Sequence, residues 1–590
     1  IERLRNVMEQ QKIDCYIIPT DDYHHSEYVG DYFKFREYIT GFTGSAGTAV
    51  FTKDKAGLWT DGRYFIQAEA QLKGSGITLY KSGESDVPTI EEFLKSELKE
   101  GDVLGFDGRT VTYAQGKRYC HIADENGASL KYSLDFAQNI WKERPEMSME
   151  PVFSLEDEYT GEKIGSKLER IREIMKENGC NAHVLSSLDD IAWLLNIRGN
   201  DIAYCPLVLS YAIVYNNSVE LFADIRKFSD DIINLLAENQ VKIYPYEDIY
   251  RKVSEMTSED KLLLDSSIMN YSLYQAISKE TVIVDKQNPE ILMKSVKNET
   301  QAENLRKAHL KDAVAHTKFM YWLKKNIGRV EITELSASAR LEGLRAEQEH
   351  FLGPSFGPIS AYGEHGAIVH YSADEKSSVP LKEGKLFMTD TGGHYLEGST
   401  DITRTVALGE VGNIEKEHFT LVARAMLRLA NTVFLYGCSG ANLDCIAREV
   451  FWKEGLNFNH GTGHGVGYLL NIHEGPINFR WKEGERPAPA LEENMVITDE
   501  PGIYIEGSHG IRLENELLVR KTVKNEYGQF MNFEILTYVP IDLDAILPEK
   551  MSTEEKEMLN HYHKQVYEKV SPYLSEEERI WLKEYTRAVK

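Results

Sequence analysis

The chain has 590 residues, with 67 Lys and Arg against 93 Asp and Glu, a formal charge of −26 at pH 7. Hydrophobic residues make up 42% and aromatics 10%, which marks a packed globular protein and excludes an acidic disordered chain. So acidic a surface repels phosphate backbones and anionic lipid, so neither nucleic acid nor a membrane is an expected partner.

At roughly 150 residues per domain the length suggests three or four domains. Residues 1–12 place Ile1, Leu4, Val7 and Met8 on one face among charges, which predicts an amphipathic helix, and residues 15–19 then read as a strand. The arrangement returns at an offset of 167: residues 168–175 overlay residues 1–8, and residues 180–185 overlay residues 13–18. This predicts two successive α/β domains of similar fold. Between them lie the Gly-rich run 41–47 and Trp59-Thr60-Asp61-Gly62-Arg63-Tyr64, with turns where the glycines stand. The longest apolar run, residues 205–215, is short of the ~20 residues of a membrane helix and reads as a buried strand.

Boundaries are expected near 155 and 295, dividing the chain into 1–155, 156–295, 296–540 and a charged helical C-terminal extension at 541–590. In the third part, helices predicted at 299–325, 335–346, 416–436 and 442–452 alternate with strands at 385–391, 400–407, 494–499 and 515–520. The six cysteines form no C-x-x-C pair, which argues against a disulfide framework or a thiolate metal site and fits a reducing, cytoplasmic setting. The first residues, Ile1-Glu2-Arg3, show no apolar signal-peptide core.

The chemistry concentrates between residues 370 and 514. The strand 386–390 ends in Asp390, and the chain turns through Gly392-Gly393 and returns as Thr400-Asp401-Ile402-Thr403, which brings two carboxylates side by side. Such a pair either shares a proton or holds a cation. Asp390-Thr391-Gly392 also matches the aspartic-protease motif, but that mechanism needs a second copy, and Asp265-Ser266-Ser267 lacks the glycine. A lone Asp beside Gly ordinarily marks a turn, and a lone His is ordinarily structural. Here, however, His460, His464 and His473 fall within fourteen positions, and Glu500 and Glu514 sit in or beside apolar strands where an unpaired carboxylate is costly. Asp390, Asp401, His464, Glu500 and Glu514 supply four negative charges and one imidazole, which two divalent cations would balance. Oxygen-rich ligation with a single His suits Mn²⁺, with Co²⁺ or Zn²⁺ as rivals, in a two-metal hydrolase.

With these residues in place, the sequence closely resembles the creatinase-like, pita-bread metallopeptidases, and within them the three-domain Xaa-Pro aminopeptidases (aminopeptidase P). The likeness spans nearly the whole chain, from the Gly-Phe-Thr-Gly-Ser-Ala-Gly and Trp-Thr-Asp-Gly-Arg-Tyr-Phe runs to all five ligands. It implies an α/β and α+β multidomain fold of two creatinase-like domains and a pita-bread catalytic domain. The implied activity is hydrolysis of the N-terminal Xaa-Pro bond of peptides by a metal-bridging hydroxide, in a homodimer. It implies that Asp401 and Glu514 bridge both metals, that Asp390 completes one sphere, and that His464 and Glu500 complete the other. Glu500 would also take a proton from the attacking water. His370 and His473 match substrate-contacting histidines, and His460 would help hold the peptide carbonyl or the proline side. Arg63 resembles an arginine that reaches the substrate, Arg512 an electrostatic support, and Tyr504 and Phe356 an apolar wall for proline. The alternatives are prolidase, which acts on Xaa-Pro dipeptides, and a catalytically dead pita-bread binding module. The first lacks one of the two N-terminal domains and the second loses metal ligands.

Overall fold

The computed structural model describes residues 1–482, 484 and 487–590. The chain divides into two compact units, residues 1–155 with 162–290, and residues 156–161 with 291–590.

In the first unit, helix α1 (Glu2–Gln11) buries Leu4 and Met8 and ends at Lys12 in the left-handed region, φ 56°. The chain then enters β1 (Cys15–Pro19), the pivot of a six-stranded sheet with β2 (Thr48–Thr52), β3 (Ala56–Thr60), β4 (Thr78–Lys81), β5 (Val103–Phe106) and β6 (Ser129–Lys131), in the order 4-3-2-1-5-6. Successive side chains of a strand point to opposite faces, so Tyr16 and Ile18 join one core and Cys15 and Ile17 another. A second sheet follows helix α2 (Ile164–Glu177). Its strands are β7 (Ala182–Leu185), β8 (Tyr211–Tyr215), β9 (Val219–Phe222), β10 (Val241–Tyr244), β11 (Lys261–Leu264) and β12 (Val282–Asp285), in the order 10-9-8-7-11-12. Each of these strands corresponds to the one six places earlier. In both sheets the pivot pairs antiparallel with the next strand and parallel with the fifth. The repeat read at an offset of 167 is therefore a repeat of fold. The run 205–215 is strand only from Tyr211, because Pro206 has no N–H to give a ladder; the residues before it are nonetheless buried.

The second unit opens on α3 (Glu299–Asn326), started by a capping box in which Asn298 and Gln301 exchange hydrogen bonds. Helix α4 (Glu334–Ala346) precedes a three-stranded sheet of β13 (Ile359–Tyr362), β14 (Lys385–Thr391) and β15 (Ile402–Leu408). After α5 (Asn413–Ala430) come β16 (Phe434–Leu435), α6 (Gly440–Lys453), β17 (Gly463–Gly465), β18 (Glu474–Phe479) and β19 (Val496–Asp499). A hairpin of β20 (Gly502–Ile505) and β21 (His509–Arg512) leads to β22 (Asn515–Asn525) and β23 (Gly528–Ile535), giving a six-stranded sheet ordered 16-23-22-19-17-18. The helix predicted at 416–436 stops at Ala430: the β-branched Thr432 and Val433 are poor helix formers, and Phe434–Leu435 pairs with the sheet edge instead. The strand predicted from 400 begins at Ile402, which leaves Asp401 outside the ladder with its side chain available to the site.

The C-terminal helices α7 (Thr553–Val570) and α8 (Glu576–Tyr585) each begin with a Ser capping box. They are no loose appendage. Leu559, Tyr562, Val566 and Leu582 belong to the same core as Phe419 and Met426 of α5, Phe451 of α6, and Ile497 and Leu517 of the large sheet. No helix among the described residues is long and apolar enough to cross a membrane. Leu559 is fully buried, so Leu559→Ala should cost about 2–5 kcal/mol. The measurement is the urea midpoint of the whole chain, and an unchanged midpoint would show that α7 lies outside the cooperative core.

Candidate metal centre

Strand register assembles the five ligand candidates in the second unit. Asp390 stands opposite Thr403 in the β14–β15 ladder, with Asp401 just before β15. Asp499 stands opposite Asn515 in the β19–β22 ladder, so Glu500 and Glu514 take the next cross-strand places. The two ladders are joined where the Glu514 N–H donates to the Thr403 carbonyl at 3.1 Å. Strand β17 brings His464 from the other side: its N–H donates to Thr498 Oγ1 at 3.0 Å, and the Glu500 N–H donates to the Thr462 carbonyl at 2.8 Å. This approach requires a glycine at 463, where a Cβ would lie 1.9 Å from the Thr498 carbonyl oxygen.

One ligand atom from each of Asp401, His464 and Glu514 falls within a 4.8 Å cluster. His464 Nε2 lies 3.4 Å from Asp401 Oδ2 and 3.6 Å from Glu500 Oε1, while its Nδ1 donates to the Gly465 carbonyl at 2.9 Å. That carbonyl fixes the tautomer and turns Nε2 into the cluster, the usual arrangement of a metal-ligating imidazole. Thr403 Oγ1 donates to Glu514 Oε2 at 2.8 Å. Glu514 Oε1 and Asp390 Oδ1 are buried without a hydrogen-bond partner among the described residues.

The electrostatics have the same origin. Burial, then the charges of Asp401, Glu500 and Asp390, hold the Glu514 carboxyl well above the usual carboxylate range. Burial also raises Asp390, against the pull of Arg512, and Glu500, against that of His464. Burial would lower His464, but Asp401 and Glu500 hold it up at about 9. Orphaned buried oxygens, crowded carboxylates and an imidazole turned inward by a carbonyl fit a pair of divalent cations.

Beside the cluster runs a chain of hydrogen bonds. Arg512 Nε donates to Asp390 Oδ2 at 3.1 Å, and Arg512 Nη1 donates to the Tyr504 hydroxyl at 2.6 Å. His460 Nδ1 is 2.7 Å from the Gly461 carbonyl and must donate to it, so Nε2 accepts the Tyr504 O–H at 2.9 Å. Burial and Arg512 push His460 down to about 3, so it is neutral. Both ring nitrogens of His460 are thus engaged within the protein, and the ring holds Tyr504 in place. Arg512 also donates to the Val369 carbonyl at 3.4 Å, which ties the residue before His370 to this chain. The His473 ring stands edge-on to His464, 4.3 Å between centroids. Phe356 is buried in the same unit. Arg63 lies in the first unit, where its Nε and Nη2 each donate to Asp61 at 2.9 Å.

Behind the ligands stands a layer that the sequence did not single out. The Asp401 N–H donates to Glu516 Oε1 at 2.6 Å, and Glu516 Oε2 lies 3.1 Å from His309 Nε2. Arg404, fully buried, donates to the Glu514 carbonyl, to Asn515 Oδ1 at 2.8 Å, to the Val539 carbonyl at 2.9 Å and to the Tyr562 hydroxyl at 2.7 Å. Arg345 pairs with the buried Asp312 and donates to the Thr391 carbonyl at 3.2 Å. The available signal was Glu516 two places after Glu514, on the same face of a strand, and the unusually polar run 400–405 in a strand with apolar ends.

The chain matches four family descriptions. They are Creatinase/Prolidase N-terminal domain over residues 1–131 and again over 143–301, Metallopeptidase family M24 over 303–521, and C-terminal region of peptidase_M24 over 529–589. It is 34% identical to Aminopeptidase P1 of Arabidopsis thaliana over 100% of this chain and 99% of that protein. Among solved structures it is similar to the X-prolyl aminopeptidase of Caenorhabditis elegans, a cytosolic enzyme with a di-nuclear active site, at 34% identity and a TM-score of 0.92, covering 98% of this chain and 95% of that one. The Xaa-Pro dipeptidase of Bacillus anthracis aligns at 25% identity and a TM-score of 0.52, with 99% of its chain covering only 65% of this one.

Two outcomes follow from the geometry. Asp401→Ala should lower bound metal from about two ions per chain to one or none, read by metal analysis after gel filtration; a full complement would refute its central position. In metal-free protein, His464 has a folded pKa near 9, above its unfolded value, so its stabilising contribution is present at pH 7 and lost as pH rises toward 9. The buried carboxylates, also raised, act in the same direction. Melting temperature of the chelated protein should therefore fall between pH 7 and 9 more steeply than that of the metal-loaded protein, in which His464 is neutral throughout; parallel curves would count against the site.

Proposed function

The chain belongs to the Xaa-Pro aminopeptidase branch of metallopeptidase family M24, and on that premise we propose how its residues hydrolyse the N-terminal Xaa-Pro bond of peptides with two divalent metals. The observation that carries the reading is the full-length match to aminopeptidase P combined with five intact ligand candidates, which a dead binding module would not keep. The Xaa-Pro dipeptidase of Bacillus anthracis covers only 65% of this chain, whereas the aminopeptidase of Caenorhabditis elegans covers 98%. We divide the chain functionally at 1–155, 156–295, 296–540 and 541–590.

Asp390, Asp401, His464, Glu500 and Glu514 would hold the ions, Asp401, His464 and Glu514 lying closest together. When bound, the ions lower the pKa of a shared water and polarise the scissile carbonyl. Glu500, whose Oε1 lies 3.6 Å from His464 Nε2, would accept the proton of the attacking water and return it to the proline nitrogen. Water thus adds across the C–N bond, leaving a carboxylate on the first residue and an N–H on proline. That nitrogen is tertiary in the substrate and offers no hydrogen bond, so the site must recognise the ring. Arg512 holds Asp390 and Tyr504, and neutral His460 fixes the Tyr504 hydroxyl, which gives proline a rigid wall. His370 and His473 complete the substrate contacts in this reading, and Arg63 supplies one from the first domain. Oxygen-rich ligation supports Mn²⁺ over Zn²⁺ or Co²⁺. The resemblance supports a homodimer, and the cytosolic relative a cytoplasmic location.

The purified protein should release the first residue from Xaa-Pro-Pro peptides but not from peptides with Ala second. Chelation should abolish the release and Mn²⁺ restore it, and Glu500→Gln should lower kcat by roughly 10²- to 10⁴-fold. Cleavage confined to Xaa-Pro dipeptides would make it a prolidase, and full activity in metal-free protein would overturn the mechanism.

A further inference from the structure

A cavity of about 370 Å³ opens against the ligating His464. Its wall includes β18 from Glu474 to Asn478 and Arg480 just beyond the strand. Asn478 stands directly opposite His464 in the β17–β18 ladder, and Pro476 and Arg480 lie two places to either side, toward the same cavity. The stem of Arg480 lies over Gly461, where an added Cβ would sit 3.0 Å from both its Cγ and its Nε. Glycine at that position lets the arginine lie flat against the loop that carries His460.

Among the described residues the charge in this wall is one-sided. Arg480 is exposed, and among the described residues no ion pair or hydrogen bond holds its guanidinium. Lys482 also lines the cavity, with its ammonium 4.8 Å from the centroid of the Trp481 ring. Among the described lining residues the single carboxylate is Glu474, buried and ion-paired with the buried Lys297. The metal-ligand carboxylates do not offset this wall, because two divalent ions would balance their charge. In a chain of −26, a wall whose described side chains are cationic on balance is a local reversal of sign, and such a wall raises the local concentration of anionic ligands.

We propose that this cavity binds a carboxylate of the peptide substrate and that Arg480 is a specificity-determining residue, favouring anionic over neutral peptides. The inference rests on the peptidase reading above. A planar guanidinium with its fork unengaged is suited to a bidentate carboxylate contact, whereas Lys482 contributes a point charge. The carboxylate has three sources in an Xaa-Pro peptide: an acidic first residue, an acidic third residue, or the free C-terminus of a tripeptide.

Three matched pairs distinguish them, each read as a ratio of kcat/KM on the Mn²⁺-loaded protein: Glu-Pro-Ala-amide against Gln-Pro-Ala-amide, Ala-Pro-Glu-amide against Ala-Pro-Gln-amide, and Ala-Pro-Ala against its amide. At least one anionic member should exceed its neutral partner by roughly three- to tenfold. Arg480→Gln should bring that ratio toward one, and Arg480→Glu should invert it. In the unaltered protein the same ratio should shrink as salt is raised, which tests the assignment even if a variant misfolds. Cleavage of neutral peptides with all three ratios near one, or a ratio that neither salt nor Arg480→Glu changes, would overturn the assignment of the cavity while leaving the peptidase reading intact. Failure to cleave any peptide with proline second would instead overturn the peptidase reading, and this inference with it.

Discussion

Four carboxylates and one imidazole are gathered into a buried space in which like charges a few ångströms apart repel one another by about 4 kcal/mol per pair at roughly 4 Å. The second unit is organised around carrying that load. Two antiparallel ladders deliver the acids from different strands, and a main-chain bond between Glu514 and Thr403 locks the ladders together at the point of greatest repulsion. Further bonds hold the remaining groups: Glu516 takes the Asp401 N–H, Thr403 holds one oxygen of Glu514, and the Gly465 carbonyl sets the tautomer of His464. Each leaves one face of a ligand free, and those free faces converge.

Arginines complete the arrangement from behind. Arg404 and Arg345 reach backbone carbonyls beside the ligand strands without touching the ligand side chains, so they stabilise the strands while leaving the acids ready for cations. Arg512 differs, because it touches Asp390 directly and continues through Tyr504 to His460. A displacement of any member of that chain would therefore be felt at both Asp390 and Tyr504.

Much of this was legible in the sequence, for reasons that can be stated residue by residue. Asp390 ends an apolar strand, Glu514 interrupts one, and His464 sits among glycines; each breaks the local pattern around it. The doubled N-terminal fold was visible because its helix and first strand kept both spacing and polarity over 167 positions. What could not be read depends on contacts between distant segments. Arg404 looks like an ordinary strand residue until α7 and β22 close over it, and Glu516 is one more acid until the Asp401 N–H is found pointing at it. His460 lies close in sequence to the other histidines, but its tautomer is decided by the Gly461 carbonyl and Tyr504 and its neutrality by burial and Arg512, which no spacing reveals. The helix expected to reach residue 436 stopped six positions early because the sheet edge claimed Phe434 and Leu435.

Arg404 has one more consequence, in the order of events during synthesis. Its guanidinium is satisfied in part by Tyr562, which lies 158 residues later in the chain. A chain still emerging from the ribosome holds all of β14 and β15 before α7 is made. It cannot close the shell behind Glu514 until its final helices are made. A product truncated before α7 carries the five ligand candidates without Tyr562 and the core residues of the last helices.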